Sequence, residues 1–177
     1  MCESGAMNEV VRKPVTYRPI GIIRSPHTDR EAAPIQPVYA AGIEGRAEIL
    51  AQFEEGLADL EGFSHLILVY HFHRVGGVRL RVTPFLEDAE HGVFATRAPC
   101  RPNPIGVSVV RLVRREGRVL HLADVDILDG TPLLDVKPYV ARFDVREGVR
   151  SGWQDGVDEG TARARGRRER GGPGPLA

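Results

Sequence analysis

The chain is poor in the residues that would mark several common protein classes. It has two cysteines in 177 residues, Cys2 and Cys100. That excludes a disulfide framework, and two thiols alone do not make a zinc site. No apolar run approaches the roughly 20 residues that span a bilayer, and the first 14 residues lack the hydrophobic stretch of a secretion signal. Charge of one sign is not in excess either: lysine plus arginine and aspartate plus glutamate number 24 each. The overall balance therefore points to no polyanionic partner, although the last segment is locally basic. Long helical periods alternating with strands are missing as well, which speaks against a parallel, Rossmann-type sheet. A reduced cytosolic setting without membrane contact is the expectation.

What is present is a series of short segments with a period of two. They span Tyr17–Arg24, Gly45–Leu50, Leu66–Phe72, Arg79–Val82, Gly92–Thr96, Ile105–Val113, Val119–Leu128 and Leu134–Val140. Only FEEGLADLEGF, Phe53–Phe63, has helical spacing, with Phe53, Leu57 and Leu60 on one face. Seven or eight short strands with one or two short helices predict an all-β fold, a small barrel or sandwich. The organisation reads as a loose leader over 1–14, one β domain over 15–145, and a Gly/Arg-rich tail over 146–177 expected to be disordered.

Three places carry chemistry. The first is the connector in GVFATRAPCRPNPIGVSVVRLV, Gly92–Val113. Pro99, Pro102 and Pro104 fix their own φ and push Ala98, Arg101 and Asn103 toward extended conformations. A stiff segment loses little entropy when a ligand docks. Arg97 and Arg101 offer forked donors for a carboxylate or phosphate, and Asn103 offers the paired donor and acceptor that read an adenine edge. Solvated arginines and prolines that only guard a sheet edge are the alternative.

The second is HLILVYHFH, His65–His73. Leu66, Leu68, Tyr70 and Phe72 share the core face; His71 and His73 lie on the other, about 7 Å apart along the strand. That spacing suits two metal ligands, but a metal site needs a third and fourth ligand, and no recognisable spacing supplies them. Structural histidines, or a histidine meeting a cofactor at the strand end, are favoured, and no metal is expected. The third is DGTPLLD, Asp129–Asp135. It is first of all a turn, while Asp129, Gly130 and Thr131 together also offer oxygens and backbone groups for hydroxyls or an amine.

Taken together, RPIGIIRSPH, GFSHLILVYHFHR, GVFATRAPCRPNPIGVS and DILDGTPLLDVKPYV resemble the TsaA-like family, also called TrmO. The resemblance runs from about Tyr17 to about Val140, and its most specific motifs are ATR-x-x-x-RPNPIG followed by LDGTP-x-x-D-x-KPY. It implies a small β-barrel that binds S-adenosylmethionine, usually as a homodimer with the site near the subunit interface. It implies methylation of the exocyclic nitrogen of threonylcarbamoyl-adenosine beside the tRNA anticodon. Carried over by position, the cofactor contacts fall on Pro34, Ile35, Gln36, His73, Arg74, Arg97, Val107, Asp129, Gly130 and Thr131. Arg101, Asn103, Lys137 and Tyr139 are the candidates for the substrate side, with Lys137 and Tyr139 equally readable as surface and core residues. Arg74 stands where many relatives have glutamine, and Cys100 where an aromatic is frequent.

The implied reaction needs a base to take a proton from a weakly nucleophilic nitrogen, and His73, Asp129 and a bound water all remain open for that role. Arg74, Arg79 and Arg81 are expected to supply salt-sensitive attraction to RNA, and the tail arginines Arg163, Arg165, Arg167, Arg168 and Arg170 either add to it or belong to a solvated tail that only aids solubility. Two rival readings stand beside the methyltransferase: a metal-dependent β-barrel enzyme using His71 and His73, and a non-catalytic module that binds S-adenosylmethionine or RNA.

Overall fold

Alternating burial shapes the sheet. In β3, His65–His71, every second residue is sealed from solvent: Leu66 and Leu68 completely, Tyr70 almost so. A computed structural model of the protein describes residues 14–168. It contains eight strands, and six of them close into an antiparallel barrel in the order β1-β2-β7-β6-β3-β8. These are β1 (Gly21–Arg24), β2 (Glu44–Ile49), β3, β6 (Ile105–Glu116), β7 (Val119–Ala123) and β8 (Thr131–Pro138). The remaining pair, β4 (Arg81–Val82) and β5 (His91–Gly92), forms a separate two-stranded ribbon. The all-β barrel expected from the sequence is the fold.

Side chains from all six strands fill the barrel, including Ile23, Ala47, Ile49, Leu66, Leu68, Val110, Leu120, Leu122 and Leu133. Each fully buried valine, leucine or isoleucine among them contributes about 1.5–3 kcal/mol. Leu57 and Leu60 close one end. They lie on two 3-10 turns, Ala51–Leu57 and Leu60–Gly62, not on the single α-helix that the spacing predicts. Asp59 interrupts the segment with a left-handed φ of 66°, which no helix interior tolerates. The leucines stay on one side because i,i+3 neighbours eclipse in a 3-10 turn as well.

Other boundaries also shift. Gly92–Thr96 is not a strand: after β5 the chain enters a 3-10 turn at Val93–Ala95, and the Thr96 hydroxyl donates to the Val93 carbonyl at 2.9 Å. β7 stops at Ala123, because Asp124 takes a φ of 66°. The segment expected to be a disordered tail departs from that expectation over its described part. After a short helix α1 (Ala141–Asp144), a 3-10 turn at Gly152–Gly156 leads into helix α2 (Glu159–Arg167). Asp158 caps α2 by accepting from the Thr161 amide at 2.9 Å, satisfying a first-turn N–H. The leader, apart from Pro14, and the tail beyond Arg168 lie outside the described residues.

Antiparallel closure gathers the same kind of strand end at each rim. Arg24 of β1 pairs with Arg46 of β2, Ile23 with Thr131 of β8, and His71 of β3 with Ile105 of β6. One rim therefore receives the loops after β1 and β3 and the loops before β6 and β8. Those loops hold most of the candidate site residues. Gly106, opposite Tyr70, makes this rim possible. A β-carbon there would fall 2.3 Å from the Tyr70 ring, so only glycine lets Tyr70 and Phe72 pack edge to face at 5.3 Å.

Candidate functional site

The long connection after β1 is the thread along which the rim residues assemble. Its Ser25 amide donates to Asp129 Oδ1 at 3.2 Å, and the Arg24 guanidinium lies 3.6 Å from Asp129 Oδ2. Further along, the Thr28 carbonyl accepts from Arg74 Nη1 at 2.8 Å. At its end, the Gln36 side-chain oxygen accepts from the Arg97 guanidinium. Three sequence-distant segments thus meet along residues 24–36. The DGT turn is fixed from the same side: the Asp129 amide donates to the His27 carbonyl at 2.8 Å and the Gly130 amide to the Ile23 carbonyl at 2.9 Å. Gly130 holds a φ of 76°, which glycine adopts without strain.

His73 completes this group. Its Nδ1 and the Thr131 hydroxyl share a hydrogen bond of 3.3 Å. Burial, helped by the positive charges of Arg74 and His71, lowers its pKa below the ordinary 6.5, with Asp129 opposing. Its imidazole is therefore neutral near pH 7 and able to accept a proton.

The proline connector is held as a shaped wall. The Thr96 carbonyl accepts from Arg101 Nη1 at 3.1 Å, and the Arg101 guanidinium lies 5.9 Å from the centre of the Phe94 ring. The Cys100 carbonyl takes the Arg79 amide at 3.0 Å, and the Pro104 carbonyl takes the Phe72 amide at 2.8 Å. The side chains of Arg97 and Asn103 are exposed. Arg101 spends one donor on the wall itself.

Three of the named residues lie elsewhere in this chain. Val107 faces outward from β6 and is 49% exposed. Lys137 lies near the opposite end of β8 and Tyr139 just past it, about 20 Å and about 26 Å of strand from Thr131. There Lys137 pairs with Asp135 at 2.7 Å, and the Tyr139 ring meets His65 edge-on at 6.3 Å. One chain therefore does not bring them to the rim. Nor are the tail arginines loose. Arg165 forks onto Asp88 at 3.0 and 3.4 Å, and Arg168 lies 3.7 Å over the Phe85 ring. Arg163 pairs with Glu159. Arg170 lies outside the described residues.

Among the described residues, no group of three or more His, Cys, Asp or Glu side chains is placed to share an ion, and His71 and His73 gain no further partner of that kind. Among them too, no helix is long and apolar enough to cross a membrane. An open cleft of about 610 Å³ flanks the rim, lined by Arg24, Glu48, Arg46, His121 and Asp129 among others. It shares Asp129 with the site, but neither His73 nor Arg97 lines it. Arg24 and Arg46 are both paired with Glu48 across it.

Sequence reasoning missed a buried polar chain just inside the rim. The Ser108 hydroxyl donates to Asp126 Oδ1 at 2.7 Å, and the Tyr70 phenol lies 3.1 Å from Ser108. Asp126 is almost sealed from solvent, and burial raises its pKa to about 7 against the Ser108 hydrogen bond and the more distant Arg97 charge. The signal was there: Ser108 falls on the inward phase of β6 between Gly106 and Val110.

The fold and these motifs match known proteins. The tRNA-methyltransferase O N-terminal domain family matches residues 22–145. A Pyrococcus abyssi protein named as a probable S-adenosyl-L-methionine-binding protein is 61% identical over 139 residues, covering 78% of this chain and 76% of its own length. The Escherichia coli tRNA (adenine(37)-N6)-methyltransferase is 40% identical over 134 residues, which is 70% of this chain and 57% of that enzyme. A crystal structure of TrmO, 44% identical, superposes with a TM-score of 0.69 over 79% of this chain and 64% of that one. The chain thus spans a little under two thirds of the solved protein. With its family profile covering most of the sequence and its fold superposing on a solved TrmO, this chain belongs to the TrmO family of tRNA methyltransferases and their S-adenosylmethionine-binding relatives.

Proposed function

We propose that the protein transfers a methyl group from S-adenosylmethionine to the exocyclic nitrogen of threonylcarbamoyl-adenosine beside the tRNA anticodon. The observation that carries this reading is the meeting of Arg97, Arg74 and Asp129 along one loop, residues 24–36. The residues suit the donor's chemistry. An exposed guanidinium on Arg97 matches a carboxylate, while the Asp129 carboxylate and the Gly130 turn match an ammonium or ribose hydroxyls. Pro34, Ile35 and Gln36 line the same loop, and Val107 belongs to the reading through the outer face of β6.

When bound, S-adenosylmethionine supplies a methyl group on a cationic sulfonium whose leaving thioether is neutral. The protein's part is alignment and exclusion of water. Methylation would cost the target nitrogen one proton, which a residue of this chain would have to take up. Neutral His73 is the best placed acceptor for that proton, with its orientation held by Thr131; Asp129 is the runner-up because it is engaged with Arg24 and Ser25. Arg101 and Asn103 would meet the RNA or the threonyl carboxylate. Lys137 and Tyr139 join the substrate side only from a second copy of the chain. Val107 and Val109 expose an apolar outer face that such a copy would cover. A tRNA substrate implies a cytosolic setting.

Titration calorimetry with S-adenosylmethionine tests the cofactor. Arg97→Ala removes a charge-assisted contact worth about 1.5–3 kcal/mol, so affinity should fall about tenfold to a hundredfold. Unchanged affinity would remove Arg97 from the site. Mass spectrometry of tRNA nucleosides from a deletion strain tests the reaction. An undiminished methylated threonylcarbamoyl-adenosine peak would favour the second reading, a binding module without catalysis, which the name of the Pyrococcus abyssi relative keeps in view. Light scattering tests the homodimer.

A further inference from the structure

The C-terminal segment ties together two loops that otherwise have no covalent reason to keep their spacing. On one side, the Gly166 carbonyl accepts from the Ile35 amide at 3.0 Å. Gly166 also presses against Tyr39, in the 3-10 turn Pro37–Tyr39 that begins directly after Gln36. A β-carbon on Gly166 would sit 2.5 Å from that ring. On the other side, the Trp153 indole stacks on His91 with centroids 5.0 Å apart, and its N–H donates to the Ala95 carbonyl at 2.8 Å. Ala95 stands two residues before Arg97. Arg165 adds a fork onto Asp88, between these anchor points. Gln36 and Arg97, which touch each other, are therefore each pinned from behind by the same short stretch of chain.

Both pinned positions are loop residues, and neither belongs to a barrel strand. Ordering such loops costs entropy, which a ligand must supply if the protein has not already done so. A brace that pre-orders them raises the fraction of molecules competent to bind, and apparent affinity scales with that fraction. We propose that residues 153–168 form a brace that sets the spacing of the Gln36 and Arg97 walls of the methyl-donor cleft, with Trp153 and Gly166 as its positioning residues. The effect on affinity rests on the cofactor reading above; the bracing of the loops does not.

The test uses full-length protein carrying Trp153→Ala, Gly166→Ala or Arg163→Ala, the last a control on the same helix whose partner is Glu159. Three quantities are read: S-adenosylmethionine affinity by calorimetry, hydrogen exchange at the Ile35 amide, and exchange at the Leu66 and Leu68 amides of β3. If bracing is lost in nine molecules of ten, affinity falls about tenfold in the first two variants. Ile35 exchange accelerates while β3 exchange stays as in the parent, and the control matches the parent throughout. Trp153→Phe keeps a ring on His91 but loses the bond to Ala95, and should fall between. Parent-like affinity and exchange in both Trp153→Ala and Gly166→Ala would overturn the proposal. So would loss of protection in β3 in step with Ile35, which would make the segment a general support of the fold. If the parent itself does not bind S-adenosylmethionine, the cofactor reading fails separately. Ile35 exchange then decides the brace: acceleration confined to the variants supports it, and no acceleration overturns it.

Discussion

Asp126→Asn should change how stability depends on pH. The carboxyl is nearly sealed inside the barrel, and burial raises its pKa from 3.8 to about 7. In the unfolded chain it ionises near pH 4, so between about pH 4 and about pH 7 the folded state binds the extra proton. Unfolding then releases a proton, and stability falls as pH rises through that window. Between about pH 5 and about pH 8.5 the loss from this group alone is about 3 kcal/mol. Asparagine has the same outline and keeps an oxygen for the Ser108 hydroxyl, but it cannot ionise. The assay is urea unfolding at the two pH values, followed by far-ultraviolet circular dichroism, for parent and variant. The variant should be more stable relative to the parent at the higher pH, and the gap should close at the lower one. A gap of equal size at both pH values would refute the reasoning, because Asp126 would then ionise alike in both states. A second arm sharpens the test. The Arg97 charge opposes the shift, so Arg97→Ala should move the parent's loss of stability to higher pH rather than to lower.

Two further outcomes follow from the rim. Gly106→Ala places a β-carbon against the Tyr70 ring and forces it or Phe72 to move; overpacking of this kind costs about 1–3 kcal/mol, read as a lower urea midpoint with an unchanged slope. Because His73 is held neutral by burial and nearby positive charge, its protonation occurs only below the ordinary 6.5 and adds a positive charge beside a cationic ligand. Affinity for S-adenosylmethionine should therefore be level around neutral pH and weaken on acidification, and His73→Gln should flatten the curve; a parent curve that strengthens on acidification would contradict it.

The barrel was legible because its strands have one wet face and one dry one. Leu66, Leu68 and Tyr70 announce the inner wall of β3 by simple alternation, and the same rhythm marks β6. The 3-10 turns between Ala51 and Gly62 were not distinguishable from a helix, since Leu57 and Leu60 share a side in either geometry; only the left-handed Asp59 decides. Helix α2 was hidden by composition. Its glycines and arginines read as a solvated tail, while the Asp158 cap and the fit of Gly166 on Tyr39 are tertiary facts. Among the site residues, Arg74, Arg97 and Asp129 lie in the motif stretches and Gln36 came only by position from the resemblance, yet their meeting along residues 24–36 depends on strand order, which a single sequence does not encode locally. Asp126 has no signal of its own in the sequence. Its burial becomes visible only when the chain after β7 runs back alongside Ser108.

Among the described residues, the ring of six strands gives every strand of the main sheet a neighbour on both sides. Strand-by-strand templating, the usual route to fibrils and to swapped or stitched assemblies, has nowhere on the barrel to begin. Any protein or nucleic acid that approaches it must be recognised through side chains and loop tips. Such contacts are revised by single substitutions without rebuilding the sheet, so a change of partner can evolve while the interior stays as it is.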